Sequence, residues 1–100
     1  MKYKKNMYHT CPTCSNIVIT NPKYPTQICE DCWYLTLNKN GNGISFGNVG
    51  INGGFLSFSD GKIGEEHQCF INGIECYAQE GEYGGIIIQS LNNRQLDIHQ

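Results

Sequence analysis

Charge is scarce in this chain. Asp, Glu, Lys and Arg make up 16% of its residues, against roughly 25% in an average soluble protein. That scarcity, with 11% aromatic residues, argues against a disordered chain, which has the opposite balance. Long apolar runs are missing as well. Aliphatic runs stop at three residues, as in Ile86-Ile87-Ile88, where a membrane-spanning helix needs ~20. The lysine-rich start Met1-Lys2-Tyr3-Lys4-Lys5 is followed by Asn6-Met7-Tyr8-His9, not by the apolar stretch of a secretory signal. These absences point to a cytoplasmic chain with no membrane association, in which thiols stay reduced.

There is no basic excess either. The formal net charge is −2. Residues 1–40 carry five lysines against two acids, and residues 41–100 carry Lys62 and Arg94 against seven acids. Nucleic-acid binding is therefore the least favoured function, since such proteins show a concentrated basic footprint. Lys2, Lys4, Lys5 and Lys23, with Tyr3, Tyr8 and Tyr24 among them, read more simply as a solvated segment.

Glycine is absent from residues 1–40 and 86–100; all 12 glycines lie between Gly41 and Gly85. Four of the six cysteines lie between Cys11 and Cys32. The chain thus changes character near residue 41. The expected organisation is one domain over 1–100, with a zinc-binding subregion at 1–40 and a glycine-rich antiparallel β subregion at 41–100. Neither part is long enough to hold a good core alone.

The cysteine-rich part reads Cys11-Pro-Thr-Cys14 and Cys29-Glu-Asp-Cys32, a C-x₂-C-x₁₄-C-x₂-C pattern close to the spacing of zinc sites. Two cysteines three apart on a tight knuckle can aim both sulfurs at one ion. Two knuckles supply four thiolates at ~2.3 Å in a tetrahedron, which leaves no open position and makes the ion structural. The expected cofactor is one Zn²⁺ on Cys11, Cys14, Cys29 and Cys32. A Cys₄ iron site and a pair of disulfides are the alternatives. His9 lies two residues before Cys11 and is expected to stand beside the site rather than in it.

Ile17-Val18-Ile19-Thr20 reads as a short strand, ended by Asn21-Pro22. Cys29–Lys39 carries two signals. Glu30 and Asp31 suit a helix first turn and Asn40-Gly41 suits its stop, whereas Trp33, Leu35 and Leu37 alternate as in a strand. The end signals favour helix. With its two knuckles, short strand and helix start, this part resembles the treble-clef and zinc-ribbon group of zinc fingers over about the first 40 residues. That resemblance implies a module that binds proteins or nucleic acids, or that stabilises a larger domain. The block from His67-Gln-Cys69 to Gly84-Gly85-Ile-Ile-Ile-Gln resembles small bacterial CxxC proteins, and this second resemblance implies no activity.

In the second part, a two-residue turn at Gly53-Gly54 would place Val49, Ile51, Leu56 and Phe58 on one face, with 49 opposite 58, 51 opposite 56 and 52 opposite 55. Asn72-Gly73, the preferred type I′ pair, would join His67–Ile71 to Ile74–Ala78. Ile86-Ile87-Ile88 would follow as an interior strand. Cys69 and Cys76 would then face each other across the hairpin as a hydrogen-bonded pair, with His67, Ile71, Ile74 and Ala78 on their face and Phe70 and Tyr77 on the other.

Two small buried thiols are the plain reading of that pair. A metal or redox site of His67, Cys69 and Cys76 lacks a fourth ligand unless His99 or Glu66 arrives. A catalytic thiol with His67 as base needs an exposed, stabilised thiolate. The Gly81–Gly85 loop lacks a phosphate-binding signature and reads as a turn, and Glu75, Glu80 and Glu82 read as a solvated face.

The expected fold class is α+β: a small Cys₄ zinc-knuckle module, treble clef or zinc ribbon, packed on an antiparallel sheet of hairpins. The expected function is a zinc-stabilised protein-interaction module without catalysis, meeting a protein partner or a second copy of itself through Phe70, Tyr77 and Trp33. The alternatives are a small cysteine-dependent enzyme or redox protein using Cys69, Cys76 and His67, and a nucleic-acid-binding finger.

Overall fold

A computed structural model of the chain describes residues 8–50, 53–82 and 84–91. The lysine cluster Lys2/Lys4/Lys5 with Tyr3, the pairings expected of Ile51 and Asn52, and His99 lie outside the described residues. The strands are β1 (Tyr8–Thr10), β2 (Ile17–Ile19), β3 (Ile44–Gly47), β4 (Leu56–Ser59), β5 (Lys62–Gly64), β6 (Gln68–Ile71), β7 (Ile74–Glu80) and β8 (Ile86–Ser90). They form three antiparallel sheets, β1-β2, β3-β4-β5 and β6-β7-β8. No helix among the described residues is long and apolar enough to cross a membrane.

The α+β expectation is corrected: the fold is mostly antiparallel β. Among the described residues the helical element is a six-residue 3₁₀-helix, Glu30–Leu35. Each signal in Cys29–Lys39 holds only in part: Trp33 and Leu35 lie inside the helix, Leu37 alone of the alternating set is extended in a bridge, and the helix ends short of Asn40-Gly41. The acids Glu30 and Asp31 do fill the first turn. The helix then stops at Thr36, which is extended (φ −72°, ψ 134°). Pairing with the sheets decides this. Leu37 exchanges backbone bonds with Phe70 at 2.9 and 2.8 Å and also bridges Gly43. The buried Thr36 hydroxyl donates to the Ile44 carbonyl at 2.6 Å. A longer helix would forfeit those bonds, and the α-helix that a treble clef implies is not formed.

The β3–β4 hairpin turns two residues earlier than expected. Gly50 pairs with Gly53, and the register sets Gly47 opposite Leu56 and Ser45 opposite Phe58. Val49 N–H donates to Gly54, so 49 does not face 58. The partner shift is even, so Val49, Leu56 and Phe58 keep a common side. That side is largely the exposed one, with Val49 and Phe58 both open to solvent, while Ile44 and Ser57 on the opposite side are buried. Gly53 has φ +96°, and a Cβ there would collide with the Glu80 carboxylate.

The second hairpin forms as read. Gln68–Ile71 pairs with Ile74–Tyr77, and Cys69 faces Cys76. Asn72 and Gly73 both have positive φ, 52° and 81°, as a type I′ turn requires. Cys69, Ile71, Cys76 and Ala78 are fully buried on one face.

The β6-β7-β8 sheet is flanked on both sides by the cysteine-rich part. On the β8 side, Ile28 N–H donates to Ile88 and Ser90 N–H to Thr26, at 3.0 and 3.1 Å. The interior position expected of Ile86-Ile87-Ile88 is corrected: β8 ends its sheet, and residues 26–28 cover only its far end, at Ile88–Ser90. On the β6 side the partner is Leu37. Residues 26–37 form a strap that runs from one sheet edge to the other. The buried cluster combines both parts: Cys11, Ile28 and Cys32 with Ile44, Cys69, Ile71, Cys76, Ala78 and Ile88. Its four isoleucines contribute about 6–12 kcal/mol together, at ~1.5–3 kcal/mol each. A ladder of rings joins the two larger sheets: Phe46–Phe55 (5.7 Å), Phe55–His67 (4.1 Å, stacked) and His67–Tyr77 (5.0 Å, stacked).

Candidate metal centre

The first knuckle is the loop between β1 and β2. Cys11 N–H donates to Asn16 at 2.6 Å, and Ser15 N–H returns to the Cys11 carbonyl at 2.8 Å. Ser15 takes a left-handed φ of 73° to close it. The second knuckle is the start of the 3₁₀-helix, where Cys32 N–H donates to Cys29 at 3.2 Å. Each knuckle is held by its own backbone.

The four sulfurs converge. Sγ of Cys11, Cys14, Cys29 and Cys32 all lie within 4.8 Å of one another. Cys11 and Cys32 are 3.9 Å apart and Cys14 and Cys29 are 3.5 Å apart. A tetrahedron with metal–sulfur bonds of ~2.3 Å has edges of about 3.8 Å. The cluster therefore already has the size of a tetrathiolate site for one metal ion. Cys11 and Cys32 belong to the buried cluster, Cys14 is exposed and Cys29 is half-buried.

Donors surround the sulfurs. Thr13 Oγ1 donates to Cys32 Sγ at 3.0 Å and lies 3.2 Å from Cys11 Sγ. The Cys29 amide donates to Cys11 Sγ at 3.3 Å, and Asn16 Nδ2 to Cys29 Sγ at 3.7 Å. Such donors stabilise thiolates and orient them. Burial works against ionisation of Cys11, but the Thr13 hydroxyl and the amides of Cys29, Thr13 and Cys14 outweigh it and bring its thiol down to about 6. Cys32 is pushed up to about 12 by burial, with its neighbouring cysteines adding to the rise. Four close thiols cannot all ionise side by side; a dication removes that conflict.

His9 stands outside the cluster. Its Nε2 donates to the Gln27 carbonyl at 2.8 Å, and its Nδ1 is hydrogen-bonded to Thr20 Oγ1 at 2.8 Å. It braces the first hairpin against the strap. Asn72 was legible as a turn residue but not as a clamp: its Nδ2 donates to the Thr13 carbonyl at 3.0 Å and ties the β6–β7 turn to the first knuckle. Thr13 and Asn16 were likewise missed as sulfur partners, although both sit within or beside the knuckle motif.

The second thiol pair has a different setting. Cys69 and Cys76 are 0% exposed, and burial pushes each up to about 12. His67 does not serve them. Its Nδ1–H donates to the Ala78 carbonyl at 2.6 Å, and its ring is sandwiched between Phe55 and Tyr77. The geometry lacks both the exposure and the base that a nucleophilic thiol needs. Cys69 and Cys76 do not join the four clustered sulfurs, and Glu66 brings no fourth ligand to them. Of the expected contact residues, Trp33 and Phe70 are half-buried and Tyr77 is 40% exposed. Comparison of the chain with protein-family models, curated proteins and solved structures gives no match.

Proposed function

We propose that Cys11, Cys14, Cys29 and Cys32 hold one zinc ion as a closed structural site, and that the chain is a non-catalytic module for binding other proteins. The convergence of four sulfurs at tetrahedral spacing carries the metal reading. A structural ion of this kind supplies ~10–16 kcal/mol of apparent folding free energy. That matches or exceeds what the four core isoleucines give, so the ion is a main support of the fold rather than an ornament.

The binding reading rests on the surface. Tyr34 (86% exposed), Phe58 and Ile63 are large apolar side chains open to solvent, and Phe58 and Ile63 are direct cross-strand neighbours. Tyr34 and Phe58 line one shallow cleft of about 330 Å³. Exposed apolar clusters of this kind mark contact surfaces. The test is elemental analysis of protein purified without added metal, followed by proximity crosslinking in the native host. One zinc per chain and a reproducible crosslinked partner are the expected results. Iron in its place, or no metal in a folded chain, would overturn the metal reading; a chain that turns over a small molecule without a protein partner would overturn the binding one.

A further inference from the structure

Among the described residues, the β1-β2 sheet has a free edge that opens onto a groove. In the register Tyr8↔Ile19, His9↔Val18, Thr10↔Ile17, continued by the Cys11–Asn16 bond, His9 and Val18 are the hydrogen-bonded pair. The N–H and C=O groups of Ile17 and Ile19 therefore point away from β1. No other described residue pairs with them. Beyond that edge lies an open groove of about 580 Å³, walled on one side by Asn16–Ile19 and on the other by residues 27–31.

The groove's chemistry selects its occupant. The Ile17 and Ile19 side chains are 68% and 66% exposed and continue an apolar strip with Tyr8, the cross-strand partner of Ile19. The facing wall carries Glu30 and Asp31, both exposed, and among the described residues no Lys or Arg lines the groove. Two outward donor–acceptor sets spaced i, i+2 are what an added strand uses. Apolar side chains on alternate positions would extend the strip, and basic ones would meet the acids.

We propose that this groove binds an extended basic segment of a partner protein, in which apolar residues alternate with lysine or arginine, by strand addition to β2. The proposal rests on the binding-module reading above and names its site and ligand class. Backbone bonds to Ile17 and Ile19 supply affinity, and Glu30 and Asp31 select charge.

The experiment uses the zinc-loaded full chain and two blocked octapeptides, one alternating valine with lysine and one alternating valine with glutamate. The lysine peptide is expected to bind at least tenfold more tightly, to weaken as salt rises, and to protect the Ile17 and Ile19 amides from exchange. Methylating alternate peptide nitrogens on the edge that faces β2 abolishes binding without touching the protein. The Glu30→Lys, Asp31→Lys double variant, checked to retain one zinc per chain, reverses the charge preference. Equal binding of both peptides overturns the proposal. So does protection of Ile17 and Ile19 before any peptide is added, whether from the chain's own termini or from a second copy seen as a dimer mass. Peptide-induced shifts confined to Tyr34, Phe58 and Ile63 overturn the groove but leave the binding-module reading standing, whereas a native partner that crosslinks elsewhere while neither peptide binds does the same.

Discussion

Stripping zinc from the loaded chain with a chelator at neutral pH should unfold the strap before anything else. The strap's contacts give the magnitude. Residues 26–37 are tied to the sheet by the Ile28–Ile88, Ser90–Thr26 and Leu37–Phe70 backbone bonds, each worth about 0.5–1.5 kcal/mol net. Burial of Ile28 adds ~1.5–3 kcal/mol. Those gains are small beside the backbone entropy of ordering twelve residues, at ~1–2 kcal/mol each. In the proposed zinc-bound state, the ~10–16 kcal/mol of a structural ion closes that gap. Hydrogen exchange read by mass spectrometry or NMR is the assay. The amides of Ile28, Leu37, Phe70 and Ser90 should lose protection together, at the same chelator concentration that releases one equivalent of zinc to a colorimetric dye. An apo chain whose Leu37 and Ile28 amides stay protected would refute the reasoning, because the strap would then be held by its sheet contacts alone.

Alkylation by iodoacetamide at neutral pH should leave Cys69 and Cys76 unmodified in the zinc-loaded chain, since both are buried with thiols near 12; selective labelling of either in minutes, mapped by peptide digestion, would count against their buried role. Raising the pH gives the linked effect. The folded thiols ionise at about 12 and the unfolded ones near 9.0, so between those values the unfolded state binds fewer protons and stability falls as pH rises, by about 1.4 kcal/mol per pH unit per thiol. Urea unfolding from pH 8 upward should show that decline in the parent chain and a shallower one in the Cys69→Ala, Cys76→Ala variant; parallel curves would sink the assignment. At the turn, Asn72→Gly keeps the positive φ and loses only the bond to Thr13, costing about 0.5–1.5 kcal/mol. Asn72→Ala loses both and should cost roughly 1–2 kcal/mol more in the same denaturant titration; equal losses would mean that the backbone angle carries no strain.

The site was more legible than the fold. Cysteine spacing is a local code, and Cys11, Cys14, Cys29 and Cys32 meet as that code implies. The Asn72-Gly73 turn was legible for the same reason, because two residues with positive φ fix a hairpin and its register without outside help. Leu37 shows where local reading stops. Its extended backbone is set by Phe70, thirty-three positions away along the chain, and nothing within Cys29–Lys39 announces that partner. The Gly53-Gly54 pair misled in a subtler way. Both glycines have positive φ, as expected of a turn, but they sit just past it, where the Glu80 carboxylate receives the Gly54 amide. A glycine demanded by a close approach and a glycine demanded by a turn look alike in sequence.

The order in which the strap and its sheet appear in the chain bears on synthesis. Residues 26–37 leave the ribosome before any of β6, β7 or β8, because translation runs from the N-terminus at ~5–20 residues per second. By the time Gln68–Ile71 emerges, the segment that pairs with its outer edge has already been free for seconds to gather the metal ion proposed for its cysteines. A bare edge on an apolar sheet is a template for aggregation, and the hazard is greatest in a crowded nascent chain. Here the guard for each edge is made ahead of the edge itself, so metal supply during translation, rather than the finished protein's stability alone, should govern how much of this chain is recovered folded when it is expressed.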